Sequence, residues 1–128
     1  NLRVLDVSGA NLSGLDLTKT RLKGANLSGV NFSDADLSGV YLRGVDLSGA
    51  DLSGADLTMA IIEGADLSGA DLSGAYLSGV YLSGVDLSGA VADENTIWSI
   101  WLGGEQGFDL EANRLAAAGA RRAGVIFR

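Results

Sequence analysis

Residues 65–74 read ADLSGADLSG, two copies of a five-residue unit that recurs from Asn1 to Ala90. The unit consists of Ala or Val, Asp or Asn, a central Leu, Ser or Thr, and Gly. A helix turns by about 500° over five residues, so the leucines would not form an apolar stripe along it. In a short extended segment, the Leu and the Ala or Val two residues before it face inward, the Asp or Asn faces outward, and Ser-Gly forms a tight turn. The repetition therefore predicts an all-β solenoid.

Departures from the unit indicate how many units form one coil. The outward position departs from Asp or Asn at Tyr76 and, with a spacing of 20 residues, at Arg21, Tyr41, Ile61 and Tyr81. The position after the central residue departs from Ser or Thr, with the same spacing of 20 residues, at Arg3, Lys23, Arg43 and Glu63. Four units per coil place these residues in stacked columns on one face. Eighteen units then form about four and a half coils, a rod roughly 20 Å long.

The corners and the interior follow from the same unit. Leucines stack inside the rod, and small Ala and Val side chains form a second inward layer. Glycine supplies the positive φ that the third residue of a type II turn needs. Lys19, Asp34 and Met59 stand where glycine is expected. We expect these corners either to adopt another turn type or to hold strain.

Units of the form A(D/N)LxG, eighteen in a row over residues 1–90, resemble the pentapeptide-repeat protein family, which is abundant in cyanobacteria and other bacteria. The resemblance implies a right-handed quadrilateral β-helix, a handedness that the spacing alone does not supply. It also implies a possible role, because one subgroup of the family resembles DNA in shape and charge. That subgroup protects DNA gyrase from inhibitors by occupying its DNA-binding site.

The tail, residues 91–128, is predicted to cap the open end of the 1–90 β-helix. The apolar segment 97–102 suits a position across the last coil, and Asp109 suits the N-cap of a short α-helix near residues 110–118. The apolar segment 124–127 is compatible with a further strand or with a partner-facing peptide. A ligand platform or a dimer seam is the alternative for the two tryptophans. The candidate cap residues are Trp98, Trp101, Leu102, Phe108 and Leu115.

Composition excludes several classes of function. The chain has no Cys and no His, which removes thiolate sites, the commonest metal ligand and the commonest general base near neutral pH. We therefore expect no enzyme activity, no cofactor and no metal site. A net charge of -7 argues against direct nucleic-acid binding, and no apolar run is long enough to span a membrane. The chain opens within a unit and without a signal peptide, so we expect upstream processing. We also expect a cytoplasmic location, unless the removed segment was a targeting segment.

Three of the four predicted faces carry columns of Asp and Asn. These columns could imitate rows of phosphates or recruit divalent cations, but the favoured interpretation is that Asp and Asn bond local backbone amides and keep the rod soluble. The fourth face mixes aromatic, aliphatic and cationic residues, as interface cores do. The alternative is a tolerant surface with stacked Tyr and paired Arg and Glu. The candidate partner residues are Arg3, Arg21, Lys23, Tyr41, Arg43, Ile61, Glu63 and Tyr81, with Tyr76 on the preceding face.

The sequence therefore predicts a rigid, non-enzymatic protein-binding or scaffold module. Its partner is a protein of unspecified identity, and a second copy of the chain is one candidate. A DNA-mimicking topoisomerase ligand is the alternative function. Ice or mineral binding by the Ser and Thr columns is a third, weaker possibility.

Overall fold

The computed structural model describes residues 6–98 and 124–128, and the chain winds in parallel coils. Each outward residue of three faces forms a parallel bridge with the residue one coil further on. Asp46, for example, lies between Asn26 and Asp66 in one column. The predicted coil of four units is thus confirmed in the described part of the chain. The bridged columns are Asp6, Asn26, Asp46, Asp66 and Asp86; Asn11, Asn31, Asp51, Asp71 and Val91; and Asp16, Asp36, Asp56, Tyr76 and Ile97.

Backbone hydrogen bonds run along the axis of the rod and join each coil to the next. The amide of Asp51 donates to the carbonyl of Val30 in the preceding coil at 2.9 Å. The amide of Leu52 donates to the carbonyl of Asp71 in the following coil at 2.8 Å. Each side of a coil is so short that on most sides only one residue pairs with the neighbouring coil, so few sides are long enough to be named as strands. The two named strands are β1, Val91–Ala92, and β2, Ile126–Phe127, which pair in parallel.

Each corner is a turn closed by one hydrogen bond. The carbonyl of Leu47 accepts the amide of Ala50 at 3.0 Å, and Gly49 between them has a φ of 67°, as the third residue of a type II turn does. Asp34 and Met59 adopt the same conformation, with φ of 58° and 59°. For a residue with a Cβ this region costs about 1–2 kcal/mol.

The corner at Lys19 adopts another turn type, which is the second outcome expected for corners without glycine. The amide of Thr20 closes the same turn by donating to the carbonyl of Leu17 at 2.9 Å, yet Lys19 has no positive φ. This geometry is that of a type I turn, which accepts most residues at this position. The corners without glycine therefore divide into one with a different turn and two with strained backbone.

The core is a continuous column of apolar side chains inside the coils. The central leucines from Leu22 to Leu77 are buried, and Phe32 and Ile62 replace two of their neighbours without becoming exposed. The second inward layer consists of buried Ala and Val. Burying one leucine contributes about 1.5–3 kcal/mol, so this column supplies most of the driving force for folding.

The coil pattern extends beyond the predicted boundary at Ala90. Val91 bridges to Asp71, and Ile97 bridges to Tyr76, which places one extra residue in the corner between them. Ala92 and Trp98 occupy the inward positions and are buried. The ladder depends on backbone groups, so it continues where the central Leu is absent.

Side chains of the tail support the turn at this corner, in which the amide of Thr96 donates to the carbonyl of Asp93 at 3.2 Å. Thr96 is buried, and its hydroxyl donates to the carbonyl of Leu72 at 2.8 Å. The same Oγ1 accepts the amide of Asp93 at 3.1 Å. The Oδ1 of Asp93 accepts the amide of Gly74 at 3.0 Å, where a further coil would offer a backbone carbonyl. The corner is therefore closed although its sequence departs from the unit.

The C-terminal residues 124–128 add a strand to the open end of the rod. The amide of Ile126 donates to the carbonyl of Ala90, and the amide of Arg128 donates to the carbonyl of Ala92 at 2.9 Å. Val125 is buried, and the ring of Phe127 lies 6.1 Å from the ring of Trp98. The strand alternative for this segment is confirmed. Trp98 is buried, and its assignment as a cap residue stays a prediction. Outside the described residues lie the predicted helix near 110–118, Trp101, Leu102, Phe108 and Leu115.

A glycine-to-alanine pair tests how the strained corner at Asp34 is accommodated. Gly49 and Gly54 share a φ of 67°, but a Cβ at Gly49 would meet nothing whereas a Cβ at Gly54 would collide with the Asp34 carboxylate. We expect Gly49→Ala to lower the free energy of unfolding by about 1–2 kcal/mol through its backbone conformation alone. Gly54→Ala should lower it slightly further, because the exposed Asp34 side chain has to rotate away from the new methyl group. Denaturant titration of both variants measures the difference.

The control for this pair removes the obstructing side chain. In an Asp34→Gly background, Gly54→Ala should cost no more than Gly49→Ala, because the collision is gone while the backbone strain remains. Equal losses for the two alanine variants with Asp34 still present would contradict the proposed packing of this corner.

Candidate protein-binding face

The three acidic faces consist of local hydrogen-bonded turns. Oδ1 of Asp46 accepts the amide of Ser48 at 2.9 Å and the hydroxyl of the same serine at 2.6 Å. Asn31 binds Ser33 in the same way. The interpretation that Asp and Asn bond neighbouring backbone amides is therefore confirmed for the described residues. The hydroxyl bond and then the amide bond from Ser or Thr lower the pKa of Asp6, Asp16, Asp46 and Asp86.

The fourth face has no such turns in the described coils, because Arg, Tyr and Ile stand in place of Asp or Asn. We call it the tyrosine face. Tyr41 and Tyr81 are 40% and 55% exposed, so a large part of each ring is available for contact. Asn1 and Arg3, which were expected on this face, lie outside the described residues. Its described outward columns are Arg21, Tyr41, Ile61 and Tyr81, and Lys23, Arg43, Glu63 and Ser83.

Two contacts link neighbouring coils across the tyrosine face. The Nζ of Lys23 lies 5.7 Å from the centroid of the Tyr41 ring, within cation–π range. The Nη2 of Arg43 lies 2.7 Å from Oε2 of Glu63, and this hydrogen bond raises the pKa of Arg43. The Arg–Glu pairing of the tolerant-surface interpretation is therefore present. Both contacts are exposed and contribute little to stability.

The backbone ladder is less complete on the tyrosine face than elsewhere. Within residues 6–98 this face has one bridged pair, Tyr41 with Ile61, whereas each of the other three columns has four. A shallow groove lies where the Arg21 and Tyr41 segments are not bridged, and it is lined by residues 20–23 and Tyr41. The face that lacks Asp and Asn turns is thus also the face with fewer bridges between coils.

Met59 is a surface residue that the sequence analysis treated only as an unusual corner. It is 61% exposed and stands at the corner that leads into the tyrosine face. Its side chain lies over Gly79, where a Cβ would collide with the Met59 sulfur. Tyr76 precedes Gly79 by three residues and Tyr81 follows it by two, so Met59 stands at the corner between the faces that carry these tyrosines. A bulky apolar residue at a glycine position two residues before Ile61 was the signal available in the sequence.

Within the described part of the chain, no group of three His, Cys, Asp or Glu side chains could hold a metal ion. None of the helices searched there is both long enough and apolar enough to cross a membrane. The expected cytoplasmic location stays a prediction.

The sequence model of pentapeptide repeats matches residues 1–34, 35–74 and 70–97, with eight copies. The chain belongs to the pentapeptide-repeat family. Its coils are therefore those of the right-handed quadrilateral β-helix of this family, as the resemblance implied.

Solved structures of pentapeptide-repeat proteins are similar to this chain. The protein alr5209 from Nostoc Pcc 7120 is 34% identical over 92% of this chain and 84% of its own, with a TM-score of 0.72. Rfr23 from Cyanothece 51142 is 31% identical over 73% of this chain and 90% of its own, with a TM-score of 0.45. HetL from Nostoc sp. strain PCC 7120 is 34% identical over 73% of this chain and 43% of its own, with a TM-score of 0.37. Comparison with the curated proteins gives no significant match.

Acid is expected to destabilise this pentapeptide-repeat rod through its hydrogen-bonded aspartates. The pKa of Asp46 in the folded chain lies below its ordinary value of 3.8, so the ionised form stabilises the fold. That contribution is complete above about pH 4 and is lost as the pH falls further, through the folded pKa. Thermal melts between about pH 7 and about pH 2 should show a midpoint that falls mainly below about pH 4.

Two neighbours in one column provide matched variants for the acid experiment. Asn26 and Asp46 accept the same two bonds from Ser28 and Ser48, but only Asp46 titrates. Asp46→Asn should keep the turn and reduce the loss of Tm in acid, whereas Asn26→Asp should increase it. Acid profiles identical to that of the unchanged chain in both variants would contradict the assignment.

Proposed function

We propose that the chain is a non-enzymatic protein-interaction module that presents the tyrosine face to a protein partner. One observation carries the proposal: three exposed apolar or aromatic side chains, Tyr41, Ile61 and Tyr81, share this face and Met59 stands at its corner, whereas the other exposed large apolar residues among those described, Leu15, Tyr76 and Ile126, stand apart on the remaining faces and corners. Aromatic residues, Met and Arg are enriched at the centres of protein interfaces, and they supply most of the binding energy there. Tyr41, Ile61 and Tyr81 form the centre of the proposed surface.

The acidic faces support a non-enzymatic role. A general acid or base near neutral pH needs a carboxyl whose pKa is raised towards 7. The shifts resolved for Asp6, Asp16, Asp46 and Asp86 are in the opposite direction. These carboxylates lie on outward sides of the rod and serve as turn acceptors.

A DNA-mimicking topoisomerase ligand is a second candidate, favoured by the carboxylate columns on three faces. The cationic residues on the fourth face count against it, since DNA is anionic on all sides. A gyrase supercoiling assay with added protein separates the two candidates, because only the mimic would inhibit the enzyme or protect it from inhibitors. Ice or mineral binding has less support, because serine hydroxyls such as that of Ser48 donate to aspartate within the turn.

Removal of both exposed tyrosines tests the proposed face. Tyr41→Ala with Tyr81→Ala should reduce capture of the partner from an extract of the source cells, or self-association in light scattering, by at least tenfold. The free energy of unfolding should change by less than about 1 kcal/mol, because both rings are largely exposed. Pull-down, light scattering and a thermal melt of the same preparations measure these effects.

Ile126→Ala is the matched control for this experiment. Ile126 is 56% exposed and bridges to Val91, which places it in the column of the face opposite the tyrosine face. Its truncation also removes exposed apolar area and should leave association unchanged. Association that survives the double tyrosine variant, or that falls equally with Ile126→Ala, would contradict the proposal.

A further inference from the structure

Charge is segregated around the rod. Every Lys or Arg among residues 6–98 lies on the tyrosine face or at the corner that leads into it: Lys19, Arg21, Lys23 and Arg43. The aspartate columns occupy the other three faces, and the complete chain has a net charge of -7. Residues 6–98 therefore form an acidic rod with one basic strip, and that strip coincides with Tyr41 and Tyr81.

The tyrosine face also changes character along the axis of the rod. Arg21 and Lys23 stand on an early coil, and neither forms a salt bridge within the described part of the chain. Arg43, one coil further, is engaged by Glu63. Beyond it the surface is apolar, with Ile61 and Tyr81 on the face and Met59 at its corner. The two cationic side chains without a carboxylate partner in the described part of the chain lie at one end of the face, and the apolar surface lies at the other.

We propose that the partner of this face is an acidic protein segment that lies along the rod, with its carboxylates over Arg21 and Lys23 and its apolar side chains over Met59, Ile61 and Tyr81. This inference rests on the proposed function and specifies the chemistry of the partner. The Arg21 and Tyr81 positions are three coils apart, about 14 Å at the usual spacing of strands. An extended segment of about five residues spans that distance.

Electrostatic selection among the faces supports an acidic partner. A basic segment would be attracted by carboxylates on three faces and repelled by the cations of the fourth, whereas the charges of the rod would not direct a neutral segment to any face. An acidic segment is repelled by those three faces and attracted by this one, so its position is defined. Complementary charge acts in this way mainly on specificity and on the rate of association.

Met59 provides an apolar anchor for the same segment. Its backbone is held at positive φ and its side chain is 61% exposed, so the fold gains neither a relaxed corner nor a buried side chain from it. Strain that the packing does not require is characteristic of functional positions. Met59→Gly should therefore weaken binding several-fold while leaving the thermal midpoint unchanged or higher.

A random library of 12-residue peptides displayed on phage provides an unbiased test against the full chain. Peptides that bind the unchanged chain but not the Tyr41→Ala/Tyr81→Ala variant should be enriched in Asp and Glu at one end and in aromatic or aliphatic residues at the other. A synthetic copy of an enriched peptide should bind less tightly as salt is raised above physiological ionic strength, as fluorescence anisotropy can measure.

Two variants with the same net charge separate local from overall electrostatics. Arg21→Gln/Lys23→Gln and Asn11→Asp/Asn31→Asp each make the chain more negative by two charges. The first pair removes the basic strip, whereas the second lies on the opposite face and keeps a side-chain acceptor for the turns. We expect at least a tenfold loss of peptide affinity for the first pair and less than a twofold loss for the second.

The outcomes distinguish failure of the inference from failure of the proposed function. Enriched peptides that need Tyr41 and Tyr81 but are neutral or basic would overturn the inference and leave the protein-binding face intact. Equal losses in the two charge variants would also overturn it. Tighter binding of a 12-nucleotide single-stranded DNA probe to the same face would do so as well. Absence of any peptide that depends on the two tyrosines would contradict the proposed function itself.

Discussion

Hydrogen bonding between coils determines the surroundings of almost every residue in this rod. Because the amide and carbonyl groups of one coil pair with the coils before and after it, each residue is stacked on the residues 20 positions away. No longer-range contact is needed to define the fold, as in other solenoids. A side chain therefore affects the column in which it stands and the adjacent corner. Because residues 20 positions apart share a face, the aromatic, aliphatic and cationic residues at that spacing are collected on the tyrosine face.

The stability of the coil is supplied on three faces and in the interior, which leaves the fourth face able to vary. Asp and Asn lock the corner that follows them by accepting one amide and one hydroxyl, as Asp46 does with Ser48. Tyr41 and Ile61 make no such turn, yet Leu42 and Ile62 beside them are as buried as any residue in the core. The inward Leu or Ile of the unit is thus preserved, while the outward Asp or Asn is replaced by Tyr or Ile. A binding surface can be built here at the cost of local turn bonds but without loss of the core.

The sequence predicts the parts of the molecule that repeat, because a repeated pattern samples the same environment many times. The period of five and the spacing of 20 were sufficient for the coil, the inward leucines and the four faces. The position of Trp98 was not predictable in the same way, because one extra residue shifts the last side of the coil from a spacing of 20 to one of 21. The pairing of Ile126 with Val91 joins segments 35 residues apart in the chain, and no periodicity relates them. Such a pairing is determined by the open backbone edge that the last coil leaves.

The candidate face was also predictable only in part. Its columns follow from the register, so Tyr41, Ile61 and Tyr81 could be placed together from the sequence. Met59 could not, because the direction of a corner side chain depends on φ, and Lys19 shows that another corner of the same column adopts a different turn. The packing of Met59 over Gly79 becomes evident only when the backbone of both coils is known.

Screening determines whether one basic strip can act on an acidic rod. At physiological ionic strength the field of a charge decays over about 8 Å, a distance shorter than the length of the rod. A partner that approaches the tyrosine face is therefore influenced chiefly by Arg21 and Lys23, since the aspartate columns around the corners are largely screened from it. At much lower ionic strength the net charge of -7 would be felt from every direction and would oppose the approach of an acidic partner. The four-sided cross-section thus has two effects. It encloses the stacked core, and it separates the basic strip from the aspartate columns so that each can act on a partner independently.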